Sequence, residues 1–176
     1  AHEFAAAWNV DHVEKGRRLA TQGEPEPREH IILDGRAASL ITDPDGRAVC
    51  VGFHVGPCVV TPNVARTRQG TSLVSIDVVA DALVAHMDSR ALTELMLASE
   101  PIRDWANGIL QQELARKADR EWCLAALGGA DRLAWFRKAF PHYEDLFGHY
   151  LIASFLGITP VTLSRLRGAE RDTAVD

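Results

Sequence analysis

The chain has 176 residues, 47% of them hydrophobic, and sets 24 acidic against 19 basic side chains for a net charge of −5. That balance excludes a disordered chain and allows a real core, divided between a β module and a small helical one. No apolar run reaches the about 18 residues that a membrane span requires, and the start, AHEFAAAWNVDH, lacks the basic-then-apolar layout of a secretion signal. A cytoplasmic protein is expected.

Taken in order, Glu3 to Trp8 is a short alanine-rich, helix-prone piece that would cover a sheet. From Val13 to about Phe53, short apolar or alternating runs (HIILDG, AASLIT, AVCVGF) are separated by turn clusters containing Gly16, Gly23, Gly35 and the Pro44–Gly46 triplet. These are hairpin signals, and their even spacing predicts a β-sandwich or jelly roll. Ser75 to Val79 reads as another strand that continues through Ala80 to Met87. From Asp88 the period becomes helical, with Leu92, Leu95 and Met96 on one face until Ser99-Glu100-Pro101 interrupts. Pro101 fits the first turn of a new helix, which runs to about Leu127. Along it Ile102, Trp105, Ala106, Ile109, Leu110, Leu114, Ala118 and Trp122 form a broad apolar stripe opposite Asp104, Gln111, Arg116 and Lys117. So wide a stripe needs a partner: either the chain's own β module or a second copy across a two-fold seam around Ile102, Trp105 and Ile109. Gly128-Gly129 ends this helix. Ala130 to Phe140 forms the next one, with Leu133, Trp135, Phe136 and Phe140 facing inward, and Pro141 closes it.

The stretch His149–Arg167, HYLIASFLGITPVTLSRLR, organises the rest. Leu151, Ile152, Phe155 and Leu156 line the buried side of a short helix that stops at Gly157, the residue type best suited to a left-handed C-terminus. Ile158 plugs inward, Thr159 offers a capping hydroxyl, and Pro160 supplies the pre-set φ of a first helical position. The second helix buries Leu163 and Leu166 and carries Thr162, Ser164, Arg165 and Arg167 on its other side. Two helices joined by a three-to-four-residue turn with glycine, the second polar and basic, is a pattern shared by any αα-hairpin of a helical bundle and by the helix-turn-helix whose second helix lies in the DNA major groove.

The wording is also familiar. IASFLGITPVTLSRLR closely resembles the helix-turn-helix of the Crp/Fnr superfamily of bacterial transcription regulators, in particular a short-chain branch reading I-A-S-x-L-G-I-T-P-x-T-L-S-R-x-R. GGADRLAWFRKAFP resembles the helix preceding it, and VEKGRRLATQGEPEPREHIILDGRAASLITDPDGRAVCVGFHVG is similar to the front of a cyclic-nucleotide-binding β-roll. The resemblance implies an α+β chain in three parts. An N-terminal double-stranded β-helix, a jelly-roll-like β-roll effector domain, would span 1–98, a long dimerisation helix 99–127, and a helix-turn-helix domain 128–176. It further implies a homodimer on palindromic double-stranded DNA, with RNA polymerase and a small-molecule effector as partners, no cofactor and no enzymatic activity. Thr162 and Arg165 would contact base edges, with Thr159, Ser164 and Arg167 on phosphate. Val161 stands where better-known members carry a glutamate that reads cytosine, so altered or relaxed specificity is expected.

The nucleotide motif departs from the family. Val60-Thr61 replaces the Gly-Glu pair, and Thr71-Ser72 follows Gly70 where an arginine would neutralise the phosphate. Binding of cAMP is therefore not expected, and Arg66, Arg68, Thr71 and Ser72 are the candidate residues for another effector. A rival reading, favoured by the acidic balance, is a dimeric β-roll binding module whose helix-turn-helix contacts protein.

Other chemistry is missing from the sequence. Seven scattered histidines (His2, His12, His30, His54, His86, His142, His149) show no ligand spacing, and Cys50, Cys58 and Cys123 are too few and too far apart for a metal pair, an iron–sulfur cluster or a disulfide framework. They read as buried or surface residues. The sequence has no nucleophile elbow, P-loop or dinucleotide fingerprint, and the carboxylates Glu24/Glu26 and Asp43/Asp45 are expected in turns.

Overall fold

The computed structural model describes residues 2–60 and 69–173. It is an α+β chain of two compact units, Ala1–Leu114 and Ala115–Asp176, that divide within one long helix.

The first unit opens with α1 (His2–Ala6) and then builds a single antiparallel sheet from β1 (Asn9–Val13), β2 (Arg18–Ala20), β3 (Arg28–Thr42), β4 (Ala48–Val55), β5 (Cys58–Val60) and β6 (Ser75–Asp88). The two long strands β3 and β6 pair from Arg28↔Asp88 to Leu40↔Ser75 and form its spine. Each changes its outer partner halfway. β5 pairs with residues 30–32 of β3 and β4 with residues 36–42, while β1 pairs with residues 82–86 of β6 and β2 with residues 76–77. Leu19, Ile32, Val60, Ile76, Val78 and Val84, all essentially buried, fill the interior.

Gly16, Gly23 and Gly46 all adopt positive φ in the connections where turns were expected, but only Gly46 closes a hairpin, between β3 and β4; Gly16 and Gly23 join strands that pair with β6 and not with each other. Asp43 organises the hairpin turn, its carboxylate accepting from the backbone N–H of Asp45 at 3.0 Å and of Arg47 at 2.9 Å. Gly35 corrects the expectation. HIILDG and AASLIT are not two strands separated by a turn but the two halves of β3, and Gly35 (φ +94°) marks a bulge between them, with register shifts on either side of it. The left-handed backbone kinks the strand without ending it, at the point where its partners change.

Glu26, read from the sequence as a turn carboxylate, is also different: it is 6% exposed. Arg28 donates to it from its backbone N–H at 3.1 Å and from Nε at 2.8 Å, and His30 Nε2 lies 3.7 Å away. His30 is itself 1% exposed, and neither ring nitrogen has a hydrogen-bond partner, so it is not the satisfied core histidine that scattered spacing suggests. Burial pushes the Glu26 carboxyl up, but the neighbouring His30 and Arg28 outweigh it and hold it at about 2, below its ordinary 4.5. A depressed carboxylate contributes stability above its ordinary range and loses it as pH falls toward the folded value. Acid titration of the wild type should therefore lose about 2–3 kcal/mol between pH 4.5 and 2 through this group, and Glu26→Gln should flatten that part of the curve. Identical acid profiles for the two proteins would show that Glu26 is not the group responsible.

β6 hands over to α2 (Ser89–Ala98) through Asp88, whose carboxylate caps the N–H groups of Arg90 and Ala91. The long helix α3 (Glu100–Ala126) follows. Of its apolar stripe the fold buries only Ala106, half-buries Ile102 and Ile109, and leaves Leu110, Leu114 and Trp122 exposed, Leu114 by 69%. Phe4 meets Trp105 edge-on at 5.3 Å, and Trp105 and Ile109 line a shallow apolar pocket with Trp8, Leu92 and Met96.

The second unit packs the end of α3 with α4 (Gly129–Ala139), α5 (Tyr143–Leu146), α6 (His149–Phe155) and α7 (Pro160–Thr173). The one-turn helix α5 was not expected from the sequence. Leu133, Phe136, Leu151, Ile152, Phe155, Leu156 and Leu163 form the core, with Phe155 between the rings of Trp135, Phe136 and Phe140. Among the described residues no helix is long and apolar enough to cross a membrane.

Candidate nucleic-acid interface

The joint between α6 and α7 is built from local hydrogen bonds that the sequence specifies residue by residue. Gly157 adopts φ +64°, its N–H donates to Ser154 O at 3.1 Å, and the N–H of Ile158 reaches back to Ala153 O at 3.0 Å. Those two bonds are the paired closure of a Schellman motif. Thr159 then caps α7: its hydroxyl accepts from the N–H of Thr162 at 3.1 Å and lies 2.9 Å from the Thr162 hydroxyl, while Pro160 occupies the first helical position.

Packing decides which side of α7 is presented. Leu163 is fully buried, and Thr162, Leu166 and Arg167 are half-buried. Val161, Ser164, Arg165 and Gly168 are exposed, at spacings of three and four that place them on one face. Thr162 and Thr159 engage each other's hydroxyls. Arg167 turns inward: Nε donates to Glu144 Oε1 at 2.8 Å and Nη1 to His149 Nδ1 at 2.7 Å, and Nη2 is buried without a partner. His149 Nε2 lies 2.8 Å from Pro160 O. A guanidinium only donates and a carbonyl only accepts, so His149 carries its proton on Nε2 and links both ends of this stretch of α7. Glu144 is shared by Arg137 and Arg167; burial raises its carboxyl, and the two arginine hydrogen bonds outweigh burial and hold it below the usual carboxylate range. Of the five residues read as DNA contacts, Ser164 and Arg165 therefore present a side chain on the open face without a partner among the described residues, and Val161 joins them there.

Two arginines that the sequence reading did not single out hold the C-terminal end of α6 from behind the joint. Arg120 donates to Phe155 O through Nε at 3.2 Å and Nη2 at 3.0 Å, with its guanidinium 4.6 Å above the Phe155 ring. Arg132 donates to Leu156 O at 3.1 Å, Leu127 O at 2.9 Å and Leu124 O at 2.8 Å, so one side chain closes the C-terminal ends of α3 and α6. No local pattern marks these positions, because their partners lie up to 35 residues away.

The expected effector residues are placed less decisively. Arg66 and Arg68 lie outside the described residues. Ser72 is 1% exposed and spends its hydroxyl on Val74 O at 2.7 Å, while Thr71 bridges Pro25. Among the described residues no three His, Cys, Asp or Glu side chains gather as a metal site would.

No protein-family model matches the sequence, and no curated protein matches it either. Solved structures do match. FixK2 from Bradyrhizobium japonicum superposes with a TM-score of 0.85 at 16% identity, over 95% of this chain and 86% of that one. CLP, the c-di-GMP-responsive global regulator of Xanthomonas campestris, superposes at 0.79 and 14% identity over 98% and 91%. A Crp/Fnr-family regulator from Eubacterium rectale gives 0.70 and 16% over 92% and 77%. At these identities the likeness speaks for architecture, and the architecture of this chain is a Crp/Fnr-like fold.

Proposed function

We propose that the chain is a dimeric, non-enzymatic transcription regulator that reads palindromic double-stranded DNA through α7. Residues 1–98 would act as a jelly-roll-like effector domain, 99–127 as the dimer helix and 128–176 as the helix-turn-helix domain. The observation that carries the reading is the face of α7: Val161, Ser164 and Arg165 stand exposed on a helix capped at its start and pinned from behind by Leu163 and Arg167. Arg165 is the cationic side chain on that face suited to the paired acceptors of guanine, and Ser164 suits phosphate or a base edge. Arg167, by contrast, positions the helix, and Thr159 and Thr162 cap it. The seam proposed around Ile102, Trp105 and Ile109 would extend along the same stripe to the exposed Leu110, Leu114 and Trp122, since a second copy would remove from water the apolar surface that one chain leaves open. The Crp/Fnr-like fold of the neighbours supports both points. Nothing in Ser72 or Thr71 favours a cyclic nucleotide over another effector.

Enrichment of a random duplex pool on the purified protein, run beside Arg165→Ala, tests the reading. The wild type is expected to enrich a palindrome with half-sites one helical turn, about 34–36 Å, apart, with affinity falling steeply in salt as phosphate contacts require. Arg165→Ala should bind each half-site about 10- to 100-fold more weakly and relax one base position. The absence of enrichment at any salt, with or without cell extract, would instead favour the reading in which the helix pair contacts protein.

A further inference from the structure

The leading turn of α7 presents a surface that hydrogen bonding does not explain. Val161, its second residue, is 59% exposed, a β-branched apolar side chain at the front of a helix. Its neighbours Thr159 and Thr162 turn their hydroxyls toward each other. On the same face, one turn further on, stand Ser164 and Arg165. A valine can neither donate nor accept a hydrogen bond, so it adds nothing at a phosphate or at the polar edge of guanine, cytosine or adenine. In the major groove one base edge offers an apolar partner, the C5-methyl group of thymine.

We propose that Val161 packs on the methyl group of a thymine lying within about two base pairs of the base read by Arg165. The spacing follows from geometry. Four residues along a helix advance about 6 Å, and successive base pairs are about 3.4 Å apart, so two side chains one turn apart reach bases about two steps apart. Each half-site then pairs a guanine with a nearby thymine, and the two are distinguished by different chemistry: a donor fork for one and a methyl contact for the other. The inference rests on the DNA-binding reading above and adds the base to which Val161 answers.

The test begins with the duplex enriched from the random pool, in which each half-site thymine is replaced in turn by deoxyuridine, a change that removes the methyl group and keeps every hydrogen-bonding atom. Wild-type affinity is expected to fall about fourfold at one thymine, the worth of one methyl group taken out of water, and about fifteenfold when both half-sites are changed. Val161→Ala should bind thymine and deoxyuridine duplexes equally while still requiring the guanine. Three outcomes overturn the proposal. If the wild type enriches a palindrome but tolerates deoxyuridine at every position, Val161 reads no methyl group and DNA binding stands. If Val161→Ala keeps the full preference for thymine, another side chain reads it. If the wild type enriches no duplex, the DNA-binding reading falls and this inference with it.

Discussion

Gly35→Ala is expected to destabilise the chain by about 3–4 kcal/mol, whereas Gly46→Ala should cost about 1 kcal/mol. The two glycines share a left-handed backbone, with φ +94° and +83°, so both substitutions incur the strain of a Cβ in that region. They differ in what the Cβ meets. At Gly46 there is nothing within 4 Å, but at Gly35 the added atom would sit 2.4 Å from Asp81 O and 2.5 Å from Ala82 Cα, main-chain atoms of β6 that no rotamer change can move. Gly56 approaches the same point from the bend after β4, its N–H donating to Gly35 O at 3.1 Å. The cost at Gly35 is therefore the separation of β3 from β6 at the place where both change partners. Urea unfolding followed by far-ultraviolet circular dichroism gives both values, and equal losses for the two variants would show that backbone strain alone, without the close approach of β6, sets the price.

The same contrast explains how much was legible in the sequence. The joint between α6 and α7 could be read position by position, because its glycine, capping threonine and proline each answer to neighbours within five residues. The strands were visible for a similar reason, yet a glycine that bulges a strand and one that turns a hairpin look alike until the facing strand is known. Gly35 shows this. Glu26 shows it for charge: between two prolines it resembles a turn residue, and only the fold buries it beside His30. The helix α5 had no periodicity to betray it, being a single turn. At the candidate interface, Ser164 and Arg165 stand on the open face, and Val161 joins them there, a place that the family resemblance marked as base-reading but that helical periodicity alone did not separate from Thr162. Arg167 could not be told from Arg165 by composition. Its role depends on Glu144, 23 residues away, and on the packing that turns position 167 inward.

Arg132→Met is expected to destabilise the second unit by about 3 kcal/mol, and Arg132→Lys by roughly half as much. Methionine keeps much of the aliphatic stem but removes all three donors, leaving Leu124 O, Leu127 O and Leu156 O at the ends of α3 and α6 without the group that satisfies them. A charge-assisted hydrogen bond contributes about 1.5–3 kcal/mol, but this side chain is only half-buried, so water recovers part of the loss and the three do not sum. Lysine restores the positive charge that two helix C-termini favour, yet a single ammonium cannot span carbonyls that a planar fork reaches in three directions. Trp135, stacked on Phe155 with ring centroids 6.5 Å apart, reports unfolding of this unit by its fluorescence once Trp8, Trp105 and Trp122 are replaced by phenylalanine. The consequence extends to α7, because Leu156 O is the carbonyl immediately before Gly157, and a frayed α6 no longer fixes where the turn begins. Duplex affinity should therefore fall in Arg132→Met and partly recover in Arg132→Lys, in step with stability, although Arg132 is no part of the exposed face of α7. Unchanged stability in the methionine variant would mean that Arg120, already bound to Phe155 O, holds the end of α6 on its own.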